Sequence, residues 1–244
     1  MKMRPILIFC ISLFWLVGTM TGASQEEVTL KDSTIYKQKY GLRLGTDIGK
    51  LIRTAVDKNY SGFEIIGDFR ITKKLYIAGE LGIEERTISD NALNATSQGS
   101  FLKAGVDYNM YQNWLDMDNL IFVGFRVGGS SFNQTLNAYS IYNVNNSYWD
   151  NEVIVDDPQE FSGLNALWLE MVFGIKAELV KNLYMGINVQ LKGLITEKSP
   201  DNFENLWIPG FNKTFDSGPL GWGFGYTLSY RIPVFKKDKV VYEE

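Results

Sequence analysis

The sequence predicts an all-β chain that closes into an eight-stranded antiparallel up-and-down transmembrane β-barrel, with short periplasmic turns and long outer loops. From residue 40 onward, segments of about ten residues alternate apolar and polar positions with period two, the pattern of strands with two unlike faces. Through the middle of every segment one face carries no charge, and across the segments the other face carries both signs. Longer and shorter polar connections alternate between the segments, as they do when tight turns lie on the periplasmic side of an outer membrane.

The chain opens on Lys2 and Arg4, continues with an apolar run from Ile6 to Val17 broken only by Ser12, and then turns to Gly18, Gly22, Ala23 and Ser24. This reads as a cleaved signal peptide over 1–24, because the run falls short of the roughly 20 residues of a spanning helix. Residues 25–39 read as a polar leader, 40–235 as the barrel and 236–244 as a charged tail. Export plus a membrane barrel gives the cell outer membrane as the expected location.

The first strand, Tyr40 to Arg53, sets Tyr40, Leu42, Leu44 and Ile48 against Arg43, Asp47 and glycines. The second, Gly62 to Ile71, sets Phe63, Ile65, Phe69 and Ile71 against Glu64, Asp68 and Arg70. The third, Leu75 to Arg86, opposes Leu75, Ile77, Leu81 and Ile83 to Tyr76, Glu80 and Glu84. In the fourth, Leu102, Ala104, Val106 and Tyr108 oppose Lys103, Asp107 and Asn109. The fifth, Leu120 to Phe132, alternates Ile121, Val123, Phe125 and Val127 with Gly124, Arg126 and Gly128. The sixth sets Leu167, Leu169, Met171, Phe173 and Ile175 against Glu170, Lys176 and Glu178. The seventh opposes Met185, Ile187, Val189 and Leu191 to Asn188, Gln190 and Lys192. The eighth, Trp222 to Ile232, opposes large apolar residues to Gly223, Gly225, Thr227, Ser229 and Arg231.

Tight turns are expected at Thr72-Lys73-Lys74 and Val180-Lys181-Asn182, a short link at Tyr111 to Asp118, and long loops over Thr87 to Gly99, Asn133 to Leu164 and Thr196 to Gly221. Tyr40, Tyr108, Trp168, Trp222 and Tyr230 fall near strand ends, where aromatic girdles belong. A soluble barrel around a lipophilic ligand has the same period with its faces exchanged. The girdle, the glycine-rich second face and the loop rhythm favour the membrane arrangement.

An eight-stranded lumen is barely wide enough for side chains, and buried charges are costly unless paired. The inward set therefore reads as a structural charge network: Arg43, Asp47, Glu64, Asp68, Arg70, Glu80, Glu84, Lys103, Asp107, Arg126, Glu170, Lys176, Lys192 and Arg231.

Chemistry is mostly excluded. The chain has no histidine, which removes the commonest general base and zinc ligand. Its one cysteine, Cys10, lies in the signal segment, so no thiol nucleophile or disulfide is expected. Glu80 and Glu84 share a face, but strand residues four apart are about 13 Å apart, too far to act together as acid and base. No catalytic residue, cofactor or metal is assigned.

Asp116 with Asp118, and Asp150, Glu152, Asp156 and Asp157, group carboxylates as a calcium loop does, without its spacing; solvated loops are the plainer reading. Asn-x-Ser/Thr sequons at Asn59, Asn94, Asn133, Asn145 and Asn212 mark polar loops. Tyr139, Tyr142, Tyr148 and Trp149, set among asparagines and serines, suit recognition of a sugar or protein. They equally suit packing of the loop onto the rim. Charge is mild, at -4, and basic residues form no stripe, so no nucleic-acid partner is expected.

The run Tyr60-Ser-Gly-Phe-Glu-Ile-Ile-Gly-Asp-Phe-Arg, the strand Leu75-Tyr-Ile-Ala-Gly-Glu-Leu-Gly and Lys103-Ala-Gly-Val-Asp-Tyr-Asn-Met-Tyr resemble the small outer-membrane barrel families of unknown function in Bacteroidota, barrels of the OmpA/OmpX-like kind. The resemblance implies fold and location and brings no activity. The charged ending after the last strand departs from the usual terminal aromatic of such barrels, with Phe235 the nearest substitute. The resulting expectation is a non-enzymatic outer-membrane protein, structural or interacting through its outer loops with a protein or glycan. The alternatives are a narrow pore or small-molecule carrier, and a soluble periplasmic barrel.

Overall fold

The computed structural model describes residues 33–90, 92–111, 118–142, 152–200, 204–214 and 218–242. The expected signal peptide lies outside them. The chain divides into Lys37–Asp238, which forms the barrel, and a second unit of Met1–Tyr36 with Lys239–Glu244. In chain order the elements are β1 (Ser33–Asp47), α1 (Ile48–Val56), β2 (Tyr60–Arg70), β3 (Leu75–Asp90), β4 (Leu93–Asn109) and β5 (Leu120–Tyr142). There follow β6 (Glu152–Val155), β7 (Gln159–Val180), β8 (Leu183–Glu197), β9 (Trp207–Ile208), β10 (Asn212–Lys213) and β11 (Leu220–Tyr242).

The pairing order β4-β3-β2-β1-β11-β8-β7-β5, closed by β4 against β5, makes a ring of eight antiparallel strands in up-and-down order. β6 extends β5 as a side hairpin, and β9 pairs with β10 apart from the ring.

Cross-strand register explains why this sequence closes this way. Opposite charges stand directly across the ladder at Arg43↔Asp68, Glu80↔Lys103, Arg126↔Glu170 and Glu170↔Lys192. On the other face Ile65↔Leu81↔Leu102 and Phe125↔Met171↔Leu191 form apolar rows. Because side chains alternate, a one-residue slip would put every charge outside. Leu81, Phe125, Leu169, Ile187 and Phe224 are each more than half exposed, while Lys103 and Glu170 are buried to within 2%. The apolar face is the outer one, opposite to a lipocalin-like arrangement.

Several expectations need correction. The first strand stops at Asp47, and residues to Arg53 and beyond are α1. Asp47 caps the helix, its carboxylate accepting from the amides of Gly49 and Lys50, and Ile48, Leu51, Ile52, Ala55 and Val56 follow helical spacing. Among the described residues the loops over 87–99 and 133–164 are largely strand: β3 runs to Asp90, β4 begins at Leu93, β5 reaches Tyr142 and β7 begins at Gln159. Polar residues dominate the outward positions of these extensions, while Ala95, Leu136 and Leu164 face the buried side, so the apolar-out alternation of the belt is lost there. Strand backbone likewise enters the expected leader and tail, at Ser33 and up to Tyr242, where Thr34, Ile35, Tyr36, Val240 and Val241 favour extended chain. At the tight turn of β7 and β8, Asn182 takes φ 67°, a conformation that asparagine tolerates.

Tyr108, Trp222 and Tyr230 are exposed, at 47%, 62% and 52%, as a girdle requires. Tyr40 and Trp168 are not: Tyr40 is buried with the Arg70 guanidinium 5.2 Å from its ring centre, and Trp168 is wholly buried in the lumen. Trp168 shares the parity of Glu170, so its strand position turns it inward.

Candidate functional site

Every residue of the expected charge network is buried. Near the tight-turn end, Asp118 bridges two strands, paired with Arg231 and with Arg70 at 3.4 Å. Arg231 also reaches Glu178 at 3.5 Å, and the Tyr184 ring lies 5.1 Å from its guanidinium carbon. Asp118, grouped above as a candidate calcium ligand, is thus engaged by arginines, and Asp116 lies outside the described residues.

Midway up, Asp68 receives Arg43 Nε at 2.7 Å and Lys176 Nζ at 2.8 Å, and Asp107 lies 2.7 Å from Arg126 Nη1. Lys103 Nζ is the hub above them, 2.8 Å from Glu80 and 3.6 Å from both Glu64 and Glu170. Lys192 Nζ stands 3.9 Å from Glu170. Glu80 and Glu84 take separate cation partners, Glu80 with Lys103 and Arg126, and Glu84 with Lys50. Their inward placement was legible in the alternation. The Lys50 contribution was not, because it arrives from a helix.

Lys50 Nζ bridges Glu64 at 2.7 Å and Glu84 at 2.6 Å. The Tyr60 hydroxyl donates to the same Glu84 at 2.9 Å. The second Glu84 oxygen accepts the amide of Gly210 at 2.8 Å, and the Gly210 carbonyl accepts from Lys192 Nζ at 2.8 Å. One carboxylate therefore ties α1, β2 and the connection between β8 and β11 to one level of the lumen.

That connection folds inward as a plug. Ile208, Pro209 and Phe211 are fully buried, and Ile208 and Phe211 join Phe101, Phe132, Leu164, Ala166 and Trp168 in an apolar cluster. The Trp168 and Phe211 rings meet edge to face at 5.9 Å. The turn at Pro209-Gly210 needs φ +80° at Gly210, where a Cβ would also strike the Phe101 ring, so glycine is required twice over. Above the cluster, Ser97 donates to Trp207 O at 2.7 Å, Gln134 Nε2 to Glu204 O at 2.9 Å, and the Leu206 amide to Gln134 Oε1 at 3.1 Å. Reading residues 196–221 as an outer loop misses this plug. The signal was present: Trp207-Ile208-Pro209-Gly210-Phe211 is an apolar run around a Pro-Gly turn, more apolar than a solvated loop requires.

Of the expected recognition aromatics, Tyr139 is half-buried and registers between Leu93 and Val155. Tyr142 ends β5 opposite Glu152, and Tyr148 and Trp149 lie outside the described residues. On the outer wall, Ser61, Ile83, Glu85, Gln98, Ser100, Ser131 and Asn133 line an open groove of about 480 Å³. Ser61↔Glu85↔Gln98↔Asn133 forms one row across four strands, where the apolar belt gives way to hydroxyls and amides. Among the described residues no cluster of three or more carboxylate, thiol or imidazole groups is arranged to hold a metal ion.

No curated protein matches the sequence. Among solved structures, the chain is similar to Ail, the attachment invasion locus protein of Yersinia pestis, at 9% identity over 82% of this chain and 96% of that one, with a TM-score of 0.38. The family described as Domain of unknown function (DUF6048) matches residues 6–237, and the protein belongs to that family.

Proposed function

We propose that this protein is an integral outer-membrane barrel whose filled lumen makes it a structural and surface-displaying element, neither enzyme nor channel. The observation that carries the reading is the distribution of side chains across the wall: an apolar sheath outside and paired charges inside. In water that outer surface would drive association; in a bilayer it is what the hydrocarbon demands, with every strand edge closed. The tight turns after β2 and β7 would face the periplasm. The α1 end, the plug and the β5–β6 hairpin would face outward and offer the polar groove to a protein or glycan.

The buried ion pairs below and the apolar plug above support a barrel without a continuous water path. Lack of histidine and of a thiol in the barrel, together with carboxylates neutralised by lysine and arginine, supports a role without catalysis. Fractionation of expressing cells tests the location. The protein should sediment with outer membranes and resist extraction by alkaline carbonate. Recovery in the soluble periplasm would sink the reading.

A further inference from the structure

β1 leaves the barrel wall partway up. Its last pair with β2 is Thr46↔Ile65, although β2 continues to Tyr60. On the other side the Tyr226 amide donates to Asp47 Oδ1 at 3.4 Å, and β11 continues beyond that point to Leu220. Between these two edges the chain supplies α1 in place of a strand. The flanking strands still show apolar side chains outward at this level: Phe63 on β2 is 42% exposed, and Trp222 and Phe224 on β11 about 60%. The break therefore lies within the apolar belt.

A helix suits such a place because its backbone bonds are made within the segment, whereas an open strand edge in hydrocarbon is left unsatisfied. Side chains complete the edge of β2. Thr54 Oγ1 accepts the Gly62 amide at 2.8 Å, and Thr46 Oγ1 donates to Glu64 O at 2.7 Å. The two faces of α1 differ sharply. Lys50 reaches into the lumen to Glu64 and Glu84, whereas Leu51, Ile52 and Val56 are 38%, 60% and 79% exposed.

We propose that the apolar face of α1 is seated among the acyl chains of the outer leaflet, so that the helix is a lateral closure separating lipid from the Lys50–Glu64–Glu84 layer. The inference rests on the membrane reading above. Continuity identifies the occupant: α1 fills the interval between β2, with Phe63, and β11, where Trp222, Phe224 and Tyr226 form a row of tilted and edge-on rings, with the same class of side chain. The apolar face ends at Asp57-Lys58-Asn59, a polar turn suited to the headgroup level.

The test uses single-cysteine variants of the full chain in a Cys10→Ser background, each carrying a nitroxide and reconstituted in phosphatidylcholine vesicles. Collision with oxygen, which concentrates in hydrocarbon, is compared with collision with a water-soluble nickel chelate. Ile52→Cys and Val56→Cys should favour oxygen as the mid-belt control Leu81→Cys does, and the preference should reverse at Glu85→Cys. A lipid-like Leu81→Cys with nickel-accessible positions 52 and 56 would overturn the α1 proposal and leave the barrel in the membrane. Nickel access at position 81 as well would overturn both.

Discussion

Replacing Lys103 with methionine keeps the unbranched stem, one atom shorter, and removes the cation on which three carboxylates converge. Lys103 is 1% exposed and sits 2.8 Å from Glu80 and 3.6 Å from Glu64 and Glu170. Breaking a buried ion pair by deleting one partner costs about 3–5 kcal/mol, because the remaining charge is stranded. Each carboxylate here keeps one other cation: Arg126 at 3.4 Å from Glu80, Lys50 at 2.7 Å from Glu64, and Lys192 at 3.9 Å from Glu170. The expected loss is therefore at the lower end, about 3 kcal/mol. Urea unfolding in phospholipid vesicles, followed by tryptophan fluorescence, measures it, with the slope against denaturant unchanged if only stability moves. Adding Glu80→Gln to Lys103→Met removes one charge of each sign and should restore about 1 kcal/mol or more, since contacting residues do not act additively. A loss for Lys103→Met under about 1 kcal/mol, the range of solvent-exposed pairs, would refute the idea of a dry, mutually neutralising lumen.

Other consequences are equally direct. Phe211→Ala should cost about 3–5 kcal/mol by the same unfolding assay, as for other buried aromatic deletions, because Phe211 is 1% exposed against Trp168. A Cβ at Gly128 would collide with the Trp168 indole, so Gly128→Ala should cost about 1–3 kcal/mol and alter the near-ultraviolet dichroism of that tryptophan. Planar bilayers should show no discrete conductance steps from the native protein, and regular steps would revive the pore. At the rim, the hydrogen bond from Arg86 holds the Asp57 carboxyl below its usual range. A depressed carboxylate stabilises the fold above its unfolded value and ceases to do so as pH falls through the folded one. Carbon NMR titration should accordingly find the Asp57 midpoint below the ordinary 3.8, moving up in Arg86→Ala; an unmoved midpoint would contradict the assignment.

Legibility in the sequence followed the strength of the alternation. Where a strand separates an apolar exterior from a charged interior, as at Leu81 beside Glu80 or Leu169 beside Glu170, period-two reading places each side chain, and all the network positions lie inside. Beyond the apolar belt the contrast disappears. Thr87 to Asp90 and Leu93 to Gly99 are as fully paired as the strands below them, yet their polar residues read as loop. The helix was obscured because Ile48 continues the parity of Leu42 and Leu44, and the change to helical spacing shows only from Leu51 onward. Trp168 and Phe211 illustrate a different limit. Lumen residues need not be polar once a second segment enters, and which connection folds inward depends on contacts 43 residues apart in the chain. The Lys50–Glu84–Gly210–Lys192 chain joins four separate elements, so no local pattern announces it.

The claim at the centre of this account is that the ring of eight strands closes with its apolar face toward lipid. Electrophoresis of detergent-solubilised protein, with and without boiling, tests it most directly. The unboiled protein should migrate as a compact species and move to the position of the unfolded chain only after heating. Identical mobility before and after boiling, from a protein that stays monomeric without detergent, would contradict it.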